Sequence, residues 1–278
     1  MPAEPADAVR REALHRVLQR IEAAVGPLGG DIRAIDGTAP GVRMVAGIAG
    51  VGPVFVKASD GSPEADEAVA AEVALLMTLE HRSLPSVLAG DPTDEVPWMV
   101  QTRLDDDGWT PPWPSRMKSV WAAVASLSAL TPPPWLPTVA DVDPWQGLIT
   151  TEDTRGHHAA LQDAASRVSI AGQSLVHGDL GSGNVHADGR RVTVVDWSDA
   201  FVGNADVDRL SIAVDVAHTD GRREVPPVDD VGGWLAKTAG LLLAAAARPA
   251  WPGPGGAAVR ATQAALARTA LDWAIDEL

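Results

Sequence analysis

The sequence predicts an α+β protein of two lobes, a small antiparallel-sheet N-terminal lobe followed by a mainly helical C-terminal lobe. Three observations carry this. Short β-compatible runs separated by Gly, Pro and Asp crowd the region up to Leu104. The segment "DDDGWTPPWP", Asp105 to Pro114, can extend neither a strand nor a helix. Beyond it, apolar residues recur at helical spacing. The expected division is therefore 1–104 and 105–278.

In chain order, Val9, Leu14, Val17, Leu18, Ile21 and Val25 predict an opening amphipathic helix, with Asp7 at its start and "GPLGG" as its stop. "DIRAIDG", "GVRMVAGI" and "GPVFVKAS" then read as an antiparallel meander. From Pro63, "PEADEAVAAEVALLMTLEH" returns to helical spacing, and "PWMVQTRL" is strand-like. A helix is expected near Ser115 to Leu130, ended by the Pro-rich "TPPPWLP". Another helical stretch precedes Leu175, and Leu266, Ala270 and Trp273 mark a closing helix over Val259–Leu278. No internal repeat is present.

Composition narrows the function classes. With 22 Lys and Arg against 37 Asp and Glu, the net charge of -15 argues against a nucleic-acid surface, which needs clustered cations. It favours cationic partners weakly. The absence of cysteine removes disulfides, thiol catalysis and Cys-ligated metals, and fits a reducing cytoplasm. The acidic, proline-containing start has no export-signal pattern. The longest aliphatic run, Ala239 to Ala247, falls far short of the roughly 20 residues of a membrane span and reads as a buried helix.

Chemistry concentrates in "LVHGDLGSGNVHADGRRVTVVDWSD", Leu175 to Asp199. A carboxylate such as Asp179 can orient a hydroxyl and accept its proton, while an amide oxygen at Asn184 can hold a magnesium ion that neutralises phosphate charge. Gly181 and Gly183 permit a tight loop between them. "ADGRR" makes a hairpin turn, and "VTVVDW" is a buried-type strand that delivers Asp196 at its end as a second metal ligand.

"HGDLGSGN" followed by "VTVVDWSD" resembles the catalytic loop and metal-binding segment of the aminoglycoside phosphotransferase and choline kinase-like family, which shares the protein-kinase-like fold. Trp197 stands where protein kinases carry Phe-Gly, as is usual in the small-molecule branch, and no Ala-Pro-Glu segment follows. The resemblance implies a lysine on the third strand paired with a glutamate on the next helix. Lys57 in "VFVKAS" and Glu72, 15 residues later, meet that description, with Glu64 and Glu67 as competitors for the pairing. It further implies a nucleotide-binding lobe over 1–104 whose hinge, "MVQTRLDD", offers backbone groups near Thr102 and Leu104 to the adenine edge. The C-terminal lobe would be catalytic and acceptor-binding. The phosphate loop departs from the family pattern: "DGTAPGVRMVAG" offers Gly37, Thr38 and Gly41 but no Gly-x-Gly-x-x-Gly.

The implied activity is transfer of the γ-phosphoryl group of ATP, or GTP, with Mg2+, to a hydroxyl of a small acceptor. An aminoglycoside, amino sugar or amino alcohol would suit the charge. The rival reading is a nucleotide-binding pseudokinase without turnover. His177 is expected to brace the catalytic loop, and Asp206 or Asp208 to anchor that loop to a helix. His157 and His158, with Glu152 and Asp153 nearby, lack a third ligand at a suitable spacing and read as surface. Ten tryptophans against two Phe and no Tyr is unusual. Core packing is the default for Trp109, Trp113, Trp121, Trp135 and Trp145, with a cation-binding ring face as the functional alternative.

Overall fold

The computed structural model describes residues 5–35, 41–146, 154–189, 191–250 and 254–278. These fall into two compact units, Met1–Asp106 with Val194–Asp199, and Asp107–Thr193 with Ala200–Leu278.

The first unit opens with helix α1 (Pro5–Val25) and continues through strands β1 (Leu28–Ala34), β2 (Val42–Ile48) and β3 (Gly52–Ala58). Helix α2 (Pro63–Thr78) and strands β4 (Val87–Asp91) and β5 (Trp98–Thr102) follow. The sheet order is β1-β2-β3-β5-β4, with antiparallel neighbours throughout. Alternation along the strands assigns its faces. Val54, Val56, Ala58, Trp98 and Val100 join Val17 and Ile21 of α1 in one core. The opposite side of β3 carries Lys57, which pairs in register with Met99 of β5. Strand β4 was not expected from the sequence, because its Gly90–Asp91 end has the composition of a turn. Gly41 enters β2 at φ +104°, and a Cβ there would lie 2.8 Å from the Ala58 carbonyl oxygen, so its glycine character is accounted for by packing.

Helix α2 starts on Ser62, whose hydroxyl accepts from the Ala65 amide, and carries acids in its first turn where the helix dipole favours them. Its buried stripe of Val69, Glu72, Val73, Leu75 and Leu76 turns Glu72 inward. Glu64 and Glu67 are exposed and point away from this stripe.

The second unit is helical. It contains α3 (Lys118–Ser128), α4 (His158–Ser166), α5 (Asp206–Asp220), α6 (Val231–Ala246) and α7 (Pro254–Asp276). Two small sheets interrupt these helices: β6 (Ser174–Val176) pairs with β9 (Phe201–Gly203), and β7 (Val185–Ala187) with β8 (Val192–Val194). Its core gathers Trp145, Leu161, Leu210, Val214, Trp234, Leu235 and Trp273. Trp113 and Trp145 are buried, and Trp135 is 45% exposed. Among the described residues no helix is long and apolar enough to cross a membrane.

Candidate active site

In the first unit a charged cluster forms around Lys57. The β3 backbone turns the side chain off the α1 core, and the ammonium meets the Glu72 carboxylate of α2 and Asp196 Oδ1 at 2.7 Å. Lys57 is 4% and Glu72 2% exposed, so both charges are almost removed from water. Burial alone would lower the lysine pKa; Glu72 and Asp196 outweigh it, and the net shift is upward. The second Glu72 oxygen accepts the Trp197 amide at 3.2 Å. Segment 194–199 is thereby fixed to the first unit, with the Val194 amide on the Ser83 carbonyl and the Trp197 indole on the Val194 carbonyl.

Asp196 was expected at the end of a strand. It lies two residues beyond β8 with φ +63°, a left-handed conformation uncommon for a residue with a Cβ. Ser198 donates to its Oδ1 at 3.3 Å. The Lys57 partners that join here are 15 and 139 residues away in the chain.

In the second unit the loop 177–184 is held mainly by α5. The amides of His177 and Gly178 donate to the two Asp208 oxygens at 2.8 and 3.2 Å. Burial pushes the Asp208 carboxyl up, against the opposing pull of His177 and these two amides. His177 is fully buried and its Nδ1 accepts the Asp179 amide at 3.3 Å. Of the two expected anchors, Asp208 holds the loop, while Asp206 pairs with Arg209. The glycines whose backbone demands glycine are Gly178 at φ +86° and Gly183 at φ +89°. Gly181, expected to share that role, has no positive φ.

The side chain of Asp179 is exposed. Asn184 Nδ2 donates to the Asp179 carbonyl at 2.8 Å, which turns its Oδ1 away from that contact. The segment after the first unit, anticipated as a boundary, packs onto this loop. Gly183 donates to the Thr110 carbonyl, Thr110 to Val185, and Ala187 to Gly108, while Trp109 meets the His186 ring edge-on at 5.1 Å.

Of the remaining expected residues, Thr102 donates its amide to the Ser86 carbonyl at 2.9 Å and Leu104 lies two residues past β5. Gly37, Thr38, Glu152 and Asp153 lie outside the described residues. His157 precedes α4 and His158 begins it, its ring edge-on to Trp145. Among the described residues no group of three or more His, Asp or Glu side chains forms a metal cluster. Sequence reasoning did not single out Asp215 or Ser182, whose side chains meet at 2.9 Å.

Residues 31–238 match the model of the phosphotransferase enzyme family known as APH. The chain belongs to this family. It is accordingly a small-molecule phosphotransferase, with the protein-kinase-like fold. Comparison with curated proteins finds no match. Among solved structures, the GDP complex of an aminoglycoside 2'-phosphotransferase mutant is 12% identical, with 95% of this chain and 97% of that chain covered at a TM-score of 0.61. A choline/ethanolamine kinase family protein from Mesorhizobium loti is 15% identical over 94% and 95% of the two chains, with a TM-score of 0.59. A macrolide 2'-phosphotransferase from Brachybacterium faecium is 20% identical over 92% and 97%, with a TM-score of 0.56. At these identities the likeness is one of fold.

Proposed function

We propose that the protein is a kinase that moves the γ-phosphoryl group of ATP, with GTP as the alternative donor, to a hydroxyl of a small cationic acceptor. The observation that carries this is Lys57 held between Glu72 and Asp196, a buried cation fixed by two carboxylates from distant parts of the chain. In this reading Glu72 braces the ammonium, which binds phosphate oxygens. Asp179 orients the acceptor hydroxyl. That oxygen attacks the γ-phosphorus, its proton passes to the Asp179 carboxylate, and the bond to the β–γ bridging oxygen breaks to release the nucleoside diphosphate. Thr102 has already committed its amide, so its carbonyl and the Leu104 amide are the hinge groups assigned to the purine edge.

By the family resemblance Asn184 and Asp196 are the residues that would hold Mg2+, and each carries the kind of oxygen donor this hard cation takes, with water and substrate phosphates completing its shell. The Asn184 amide nitrogen, fixed on the Asp179 carbonyl, leaves the oxygen end for such a role. When bound, the ion supplies neutralisation of triphosphate charge.

The named relatives act on unlike acceptors, so the acceptor class rests on charge. A net charge of -15 supports an amine-bearing substrate such as an aminoglycoside, amino sugar or amino alcohol. The test is a screen of such acceptors and their neutral deaminated analogues with Mg-ATP. The reading expects an amine-bearing acceptor to be phosphorylated with a KM that rises with salt, and its neutral analogue to be much poorer. Binding of Mg-ATP without transfer to any acceptor would instead establish the pseudokinase reading, which the missing Gly-x-Gly-x-x-Gly pattern favours.

A further inference from the structure

We infer that Asp215 is a positioning residue, which fixes the loop bearing Asp179 and Asn184 through Ser182 and locks that loop to segment 108–114 through Trp113. The catalytic consequence rests on the kinase reading above; the mechanical one does not. Asp215 is 6% exposed on α5. One carboxylate oxygen accepts the Ser182 hydroxyl at 2.9 Å, and the other accepts the Trp113 indole N–H at 2.7 Å. Bonds from neutral donors to a carboxylate are stronger than those between neutral groups, and a dry surrounding strengthens them further.

Two spacings give this contact its importance. Asp215 follows Asp208 by seven residues, two helical turns, so both carboxylates stand on one face of α5. Asp208 holds the entry of the loop at His177 and Gly178, and Asp215 holds its middle at Ser182. Ser182 stands between Gly181 and Gly183, which have no side chains to anchor the stretch from Asp179 to Asn184. The loop is therefore mounted on the helix at two points.

The Trp113 arm extends the mount. Its amide donates to Asp220 at 3.1 Å, and Arg222 donates to the Pro114 carbonyl at 3.1 Å, so the whole turn is fastened to the end of α5 and the residues after it. The same segment reaches the catalytic loop through Gly183 and Thr110. Loss of either Asp215 bond therefore loosens a closed circuit of helix, turn and loop.

Ser182→Ala, Ser182→Thr, Trp113→Phe and Asp215→Ala would be compared with the parent protein by hydrogen exchange of the 180–187 peptide and by Mg-ATP affinity and turnover. Ser182→Ala and Trp113→Phe are expected to speed exchange in that peptide about tenfold. Turnover should fall by roughly 10- to 100-fold, the scale of a small misplacement of Asp179 and Asn184. Ser182→Thr, which keeps the hydroxyl, should restore both. Unchanged loop exchange in Ser182→Ala, or equal losses in Ser182→Ala and Ser182→Thr, would overturn the inference, and neither variant depends on Asp215→Ala folding. Should the parent bind Mg-ATP without consuming it, the kinase reading fails, and the exchange comparison still decides the role of Asp215.

Discussion

In the first unit a buried cation sits between two carboxylates, whereas in the second the buried carboxylates Asp208 and Asp215 take bonds from neutral N–H and O–H groups. The difference separates two tasks. A charge cluster holds side chains in a field suited to an anionic ligand, and removing one member leaves a buried charge uncompensated. Carboxylates facing amides hold a backbone path, and removing one releases the loop without exposing an unpaired cation. Asp179, exposed at the end of that path, has its amide on His177 and its carbonyl on Asn184. Its side chain can change while the backbone bonds persist.

The sharpest way to break this comparison is at Asp179. Asp179→Asn should lower turnover by roughly 10²- to 10⁴-fold, the usual range for a lost proton acceptor, with thermal stability nearly unchanged. Parallel loss of melting temperature and turnover would show that Asp179 belongs to the scaffold.

Lys57→Met comes next. It should cost about 3–5 kcal/mol of stability, because Glu72 and Asp196 lose their shared cation, and a denaturant titration reads the loss. Adding Glu72→Gln to that variant should recover part of it; additive losses would mean that the cluster is not an electrostatic unit. Asp208→Asn should cost less, about 1–3 kcal/mol, by setting an amide group against one of the two backbone N–H donors. The accompanying exchange should centre on residues 177–184, and uniform loosening would contradict a local anchor.

The smallest effect within the neutral range is that of pH. The Lys57 pKa is raised in the folded protein. Its stabilising contribution is therefore complete below the unfolded lysine pKa of about 10.4 and is lost as pH rises through the higher folded value. The stability gap between the parent and Lys57→Met should be flat from neutral pH to about 9 and shrink in stronger alkali. A gap that closes near neutrality would place the responsible group elsewhere.

Local pattern made much of this architecture legible. Strands β2, β3 and β5 and helices α1 and α2 follow from apolar period and Gly or Pro punctuation, and Lys57 and Glu72 meet because each stands at an inward position of its element. What escaped depends on neighbours remote in sequence. Nothing near Ser182 points to Asp215, 33 residues away, and nothing in "DDDGWTPPWP" indicates that Gly108 and Thr110 bond to the loop around Gly183. Its prolines argue against regular structure, and a turn braced by side chains needs none. The left-handed Asp196 was likewise hidden, because the run "VTVVDW" reads as one strand while hydrogen bonding ends it at Val194.

The return of Val194–Asp199 to the first unit bears on how the chain is made. Strand β5 is complete at Thr102, yet Lys57 gains Asp196, and Glu72 the Trp197 amide, only after roughly 90 further residues of the second unit have been synthesised. At about 5–20 residues per second the ribosome leaves the five-stranded sheet without that strip for several seconds. Throughout that interval Glu72 alone accompanies the Lys57 ammonium, and the surface later covered by Trp197 stays open. A nascent chain halted near residue 150 should therefore be cleaved by protease more readily in its first hundred residues than the same stretch in the finished protein.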